Sequence, residues 1–277
     1  KLDYFLETTL QGSRTGLPLR DDDGIPILEI GLNSLQASFL AGKNFGNWGA
    51  LSLGVSYSLI DLEVRSGPLE LLEAEIPDLA GATDAIRSGA FDDLNALVQF
   101  EIDTLDNLIF PKSGLNLLAR YQVDIGLPNA FEAGSLDIQM FGAKSWGKNT
   151  LLTGARFGTN LSDNSDFQNS FLLGGFRNLS GYSRNELSGP HVTFAGLTYY
   201  RRIAGSSNPL FNWPIYMGSS VEVGNIWNDL DDFKVDDLTL AGSLFLGVES
   251  PLGPIFLGGG YNSDDRASLF LLIGNAF

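Results

Sequence analysis

The chain has 277 residues, with 33 acidic against 17 basic side chains and a formal net charge of −16. A surplus of that sign excludes nucleic acid as a partner, because binding to a phosphate backbone needs cationic side chains that displace counterions. A mean hydropathy of +0.06, with no run of about 18 uncharged apolar residues, excludes a helical membrane protein but leaves a β-barrel open, where only every second residue meets lipid.

Period-two alternation recurs from end to end and predicts twelve strands, over 2–11, 27–42, 48–64, 93–104, 115–127, 133–146, 149–160, 191–204, 213–226, 239–250, 254–262 and 267–277. In the second strand the apolar phase changes near Ser34, and in the third near Ile60; each change predicts a bulge. Segment 66–91 breaks the alternation. Its Leu69, Leu71, Leu72, Ile76, Leu79 and Ile86 suit either a surface flap or a short amphipathic helix interrupted at Pro77 and Gly81. In the fourth strand Ala96, Val98, Phe100 and Ile102 oppose Asn95, Gln99, Glu101 and Asp103. In the fifth, Leu115, Leu117, Ala119, Tyr121, Val123 and Ile125 oppose Asn116, Leu118, Arg120, Gln122 and Asp124. Val221 and Val223 likewise oppose Ser220, Glu222 and Gly224, and Leu244, Leu246 and Val248 oppose Ser243, Phe245, Gly247 and Glu249.

Soluble sandwiches also alternate, but their strands average about five or six residues. Most of these runs are longer, as a tilted membrane strand must be. Faces that carry Glu101, Asp103, Arg120, Asp124, Asp137 and Glu222 suit the wall of a water-filled lumen better than a packed core. One set of connections is mostly long (12–26, 65–92, 128–132, 161–190, 227–238 and the short 263–266) and alternates with a shorter set (43–47, 105–114, 147–148, 205–212, 251–253), the asymmetry of barrels with long outer loops and short periplasmic turns. Trp48, Trp146, Trp213 and Trp227 fall at strand ends, where aromatic girdles sit. The predicted fold is an all-β, antiparallel up-and-down transmembrane barrel, one domain over 1–277.

Chemistry-bearing clusters are few. His191 is the sole histidine and has no serine at a catalytic spacing; Gly181-Tyr182-Ser183-Arg184-Asn185 lacks the second glycine of a nucleophile elbow. Asp229 to Asp237 lack the glycine-centred spacing of a calcium loop. No catalytic residue, metal or cofactor is therefore assigned. Lys1-Leu2-Asp3 shows no secretory signal, so the chain reads as a mature protein or a fragment of a longer one.

Four segments, in order and spacing, resemble the outer-membrane assembly and transport superfamily of the BAM-complex barrel, the two-partner secretion transporters and the patatin-like autotransporters. The first is Asp103-Thr104-Leu105-Asp106-Asn107 with Phe110-Pro111-Lys112-Ser113-Gly114, which looks like the family's periplasmic turn. The second, Gly174-Gly175-Phe176-Arg177-Asn178-Leu179-Ser180-Gly181-Tyr182, resembles its lumenal loop. The third, Glu249-Ser250-Pro251-Leu252-Gly253-Pro254, is similar to the turn before its last two strands. The fourth, Gly274-Asn275-Ala276-Phe277, resembles the C-terminal signal read by the assembly machinery.

The resemblance implies a sixteen-stranded, multi-pass barrel in a Gram-negative outer membrane that translocates or inserts a passenger polypeptide. Its partners would be the bilayer, the passenger and, during biogenesis, the assembly machinery. Where the family's loop has an arginine tethered to an acidic wall residue, this chain has Ser180, so the tether is expected to pass to Arg177 or Arg184. The loop variant looks most like that of the patatin-like autotransporters. A passive solute channel and an outer-membrane lipid hydrolase are the alternatives. Strands 2–11 and 267–277 decide closure: if they pair, the barrel closes with twelve, and if their edges are free, strands are missing.

Overall fold

A computed structural model describes residues 3–20, 26–67, 90–107, 110–126, 134–161, 171–205, 213–250 and 253–274. Twelve strands form one antiparallel sheet: β1 (Tyr4–Arg20), β2 (Pro26–Phe45), β3 (Gly49–Ser66), β4 (Ala90–Asp103), β5 (Ser113–Asp124), β6 (Gly134–Trp146), β7 (Asn149–Asn160), β10 (His191–Ala204), β11 (Ile215–Trp227), β12 (Thr239–Ser250), β13 (Gly253–Asn262) and β14 (Ala267–Ile273). Each pairs with its neighbour in sequence, except that β7 pairs with β10 across a separate small hairpin, β8 (Phe171–Leu173) and β9 (Leu187–Gly189). All twelve predicted strands are present. The small hairpin is not legible in the alternation, because its strands are three residues each.

Alternation builds the wall as expected. In β3 the odd row Leu51, Leu53, Val55, Tyr57 and Leu59 is exposed, while Ser52, Ser56 and Ser58 are buried on the other face. In β12, Leu240, Leu244 and Leu246 point outward against buried Thr239, Ser243 and Phe245. The polar face is the inner one, since the hairpin β8–β9 and its connecting loop pack against it. No second sheet or helix covers the outer face among the described residues. Val98 is exposed and Phe100 and Tyr121 are part-exposed in that row, but Val123 is buried, beside a Tyr121 that leans over Gly134, the partner of Val123.

The phase changes at Ser34 and Ile60 are not bulges. These two residues pair with each other in unbroken register; the register shifts lie instead at Leu19/Arg20 and Glu29/Ile30. What changes is polarity. Above this line Leu28, Ile30 and Leu62 point inward and are almost wholly buried. The outer face there carries Arg14, Glu29, Glu63 and Arg65, joined by ion pairs of 3.0 to 3.6 Å. An outer face that turns from apolar to ionic has left the hydrocarbon and entered water, so the line marks a membrane boundary. At the opposite boundary Trp48, Trp146 and Trp213 are exposed, with Trp146 6.5 Å from Tyr199. Trp227 does not join such a girdle: it is buried and packs on Phe233 at 4.8 Å.

The sheet is not a closed cylinder. Among the described residues β1 and β14 do not pair, so each presents a free edge. The segment 68–89, Asp21-Asp22-Asp23 and Phe277 lie outside the described residues. Asp229 to Asp237 form two exposed 3₁₀ turns, the first capped by the Asp229 carboxylate on the Asp231 N–H. No cluster with metal-ligand composition occurs among the described residues.

Leu244 is central in β12 and faces outward. Leu244→Arg should destabilise the protein folded into lipid vesicles by about 2–4 kcal/mol. Val235→Arg, in the exposed connection, should stay within about 0.5 kcal/mol. Denaturant titration of vesicle-refolded protein measures both.

Candidate functional site

The loop between β8 and β9 is folded into the lumen and fixed there. Its entry is a tight turn: the Gly174 N–H donates to the Asn178 carbonyl (2.9 Å), and the Asn178 N–H returns to the Gly175 carbonyl (3.0 Å). Arg177 (φ 60°) and Leu179 (φ 73°) take the left-handed conformation, which costs a non-glycine residue about 1–2 kcal/mol and persists only where surrounding contacts hold it.

Those contacts centre on Glu222 of β11, which is 1% exposed. Its carboxylate accepts from the Ser180 N–H (2.6 Å) and from the Ser180 hydroxyl (2.9 Å). A third bond comes from the Ser220 hydroxyl, itself 2.6 Å from that of Ser243. The Ser180 hydroxyl also accepts from the Arg177 N–H (3.0 Å). The tether therefore stays at position 180, made by a serine and its own backbone. Ser180 is fully buried, and its Cβ lies 2.5 Å from where a Cβ on Gly260 of β13 would stand, so the close approach requires glycine at 260.

The two arginines of the loop lie differently. Arg177 lies near Glu222 but donates through Nε to Thr198 (3.0 Å). Burial pulls its guanidinium down to about 10, opposed by the charge of Glu222, so it stays cationic at neutral pH. Arg184 is exposed and takes no part in the anchor.

A second set of bonds joins the loop to the last hairpin. The Gly181 N–H donates to Ser268 (3.2 Å), the Tyr182 hydroxyl donates to Asp264, and Arg266 pairs with Glu186 at 3.1 Å. Thr239 donates to the same Asp264 oxygen (2.8 Å). Gly181 has φ 101°, and a Cβ there would meet the Arg266 carbonyl at 2.8 Å, so both conformation and space require glycine. A third attachment is Arg156 of β7, which pairs with Asp137 (3.1 Å) and donates to the Leu172 carbonyl (3.3 Å).

The lumen is not simply water-filled at this level. From the opposite end, the turn after β4 sends Phe110 inward, where it stacks on Tyr216 at 4.7 Å and lies 5.5 Å from Phe256. The Tyr200 hydroxyl donates to the Pro111 carbonyl at 3.0 Å. Phe176 of the loop lies 5.6 Å from Phe256, 5.2 Å from Phe245 and 5.5 Å from Phe270. A continuous aromatic column thus links the loop to the turn at the far end of the barrel. Inward Tyr200, Tyr216, Phe245 and Phe256 were its trace in sequence, since each breaks a polar face.

All six proposed wall residues lie on the inner face by register. Only Glu222 and, through Arg156, Asp137 meet the loop. Arg120 donates instead to Gln99 (3.0 Å), Asp124 accepts from the Gly126 N–H (2.7 Å), and Asp103 accepts from the Leu105 N–H (3.2 Å) at a strand end. Glu101 stands on the same row, apart from the loop. At the C-terminal signal, the Gly274 N–H donates to the Pro254 carbonyl (2.9 Å). His191 shares a hydrogen bond with the Thr159 hydroxyl (2.9 Å). Missed at the sequence level were Arg156, Asp264, Arg266 and Ser268. Their partners lie far away in the chain, and no local pattern announces them.

Glu222→Leu leaves the Ser180 N–H and hydroxyl without their acceptor, at about 1–3 kcal/mol for each buried group. Labelling of a Ser183→Cys probe by a water-soluble maleimide should accelerate severalfold in that background. An unchanged rate would show that the tether does not hold the loop.

Comparison with known proteins finds a matching family model and solved structures of similar fold. The family model described as the Omp85 superfamily domain matches residues 25–258. The crystal structure of BamA from Haemophilus ducreyi lacking POTRA domains 1–3 is similar in fold, with a TM-score of 0.68 at 13% identity over 97% of this chain. This chain spans 58% of the length of that one. No curated protein matches.

Proposed function

The chain belongs to the Omp85 superfamily, and from that membership we propose that it is an outer-membrane barrel that translocates or inserts a passenger polypeptide. The observation that carries this reading is the lumenal plug, a loop anchored through Ser180 to Glu222 and packed by Phe176 onto an aromatic column. A steady diffusion channel is poorly served by aromatic rings across its bore. A transporter that conducts only when engaged is well served by a plug held by hydrogen bonds and ring contacts, none of them covalent.

The outer face supports the lipid environment, and the free edges of β1 and β14 support a wall completed by further strands, as the sixteen-stranded resemblance implies. The Gly-Phe-x-Asn-Leu-Ser-Gly-Tyr form of the loop favours the patatin-like autotransporter branch, in which the passenger is fused to the barrel. The reaction needs no covalent step and no cofactor. Energy would come from folding of the passenger on the far side and from exchange of strand pairings.

Two measurements test the reading. Deleting residues 173–185 should reduce passenger appearance at the cell surface at least severalfold while the barrel is still assembled. Full secretion by that variant would sink the proposal. In planar bilayers the intact protein should give small, flickering currents. Phe110→Ala, which removes the ring stacked on Tyr216, should raise the conductance severalfold. A large steady current from the unaltered protein would favour the passive channel instead.

A further inference from the structure

Between the loop and the inner face of β5, β6, β7, β10 and β14 lies a cavity of about 470 Å³. Its charged lining is Arg156, Arg177 and Arg184, with no aspartate or glutamate, although acids outnumber bases 33 to 17 in the whole chain. Arg156 is paired with Asp137, and Arg177 is bound to Thr198. Arg184 forms no ion pair among the described residues and presents its charge at the exposed rim. The side-chain amides of Asn116, Gln139 and Asn178 share the lining with the rings of Phe141 and Phe270.

We propose that this cavity holds an acidic stretch of polypeptide, an inference that rests on the transport reading. A volume within the range of ligand sites is several times that of a single oxyanion. Cations alone would serve a small anion. The amides add partners for peptide N–H and C=O groups, and the rings add a surface for apolar side chains. The charge preference is carried by Arg184 at the rim: a carboxylate entering there meets its guanidinium in a partly enclosed space, where attraction is less screened than on the surface, with Arg156 and Arg177 behind it as further donors. A lysine at the same rim meets the like charge of Arg184, and the acids nearby, Asp137 and Glu222, already face Arg156 and Arg177. The passenger is thereby sorted by charge at the plug itself. Because the same loop supplies Arg177, Arg184 and the Ser180 anchor, an acidic segment seated here would pull directly on the element that blocks the lumen.

The test is fluorescence anisotropy of labelled peptides with the whole protein in detergent micelles, at low and high salt. A peptide alternating Glu with Phe should bind at least tenfold tighter than its Lys counterpart, a difference of about 1.4 kcal/mol, and should weaken as salt rises. Arg184→Glu should cost the acidic peptide about tenfold, whereas Arg184→Lys should keep most of the affinity. Equal binding of both peptides, or indifference to Arg184→Glu, overturns the proposal. Displacement of the acidic peptide by millimolar inorganic phosphate also overturns it, by reassigning the cavity to a small anion. Peptide binding is read without any transport. A protein that secretes normally but ignores the peptide therefore sinks this site alone, and one that binds the peptide but passes no passenger sinks the transport reading alone.

Discussion

A strand that crosses a bilayer has one row of side chains in hydrocarbon, and every backbone N–H and C=O in it must be paired by a neighbouring strand. The rest of this structure depends on that constraint. It dictates the alternation of Leu51, Leu53 and Val55 with Ser52 and Ser56, and it removes apolar packing against a second layer as a source of stability. With lipid on one face, the interior has to be furnished by what the inner row carries and by what the loops send in.

Two kinds of filling result. Over part of the wall the inner row is small and polar, and neighbouring hydroxyls such as Ser220 and Ser243 bond one another. Between β7 and β14 the inner row is aromatic, and the turn carrying Phe110 meets the loop carrying Phe176 through Phe256. These two modes explain why a chain with mean hydropathy near zero can be both a membrane wall and a plugged one. The buried carboxylate of Glu222 sits where they meet. A carboxylate in such a place is costly without partners, and the three donors from Ser180 and Ser220 supply them.

The wall was largely legible in the sequence because its physics is local: a period of two, a switch of polarity and a turn are each visible in a short window. His191–Ala204 and Thr239–Ser250 have the ends that alternation predicts. The polarity change at Ser34 was visible too, but the same pattern arises from an inserted residue or from a change of solvent, and only the register separates them. The anchor was half legible. Glycines, a positive charge and an acidic wall pointed to a tether, and the arginine of the resembling loops drew attention to side-chain charge. The bond actually made uses the Ser180 N–H, which every residue but proline possesses and which no sequence pattern marks. The links to Asp264, Ser268 and Arg266 depend on bringing segments some 80 residues apart into contact, as their separations of 82, 87 and 80 show.

Strand lengths are unequal around the wall, with 20 residues in β2 against 7 in β14. At a rise of about 3.3 Å per residue, the two paths differ by about 40 Å. Residues 26–33 of β2 stand beyond the line at Ser34, so much of the excess rises on that side. The mouth there is cut on a slant, like a quill. Anything arriving from that side meets the tall hairpins first and their ion-paired flank, while the low lip leaves the acidic 228–238 connection close to the lipid headgroups.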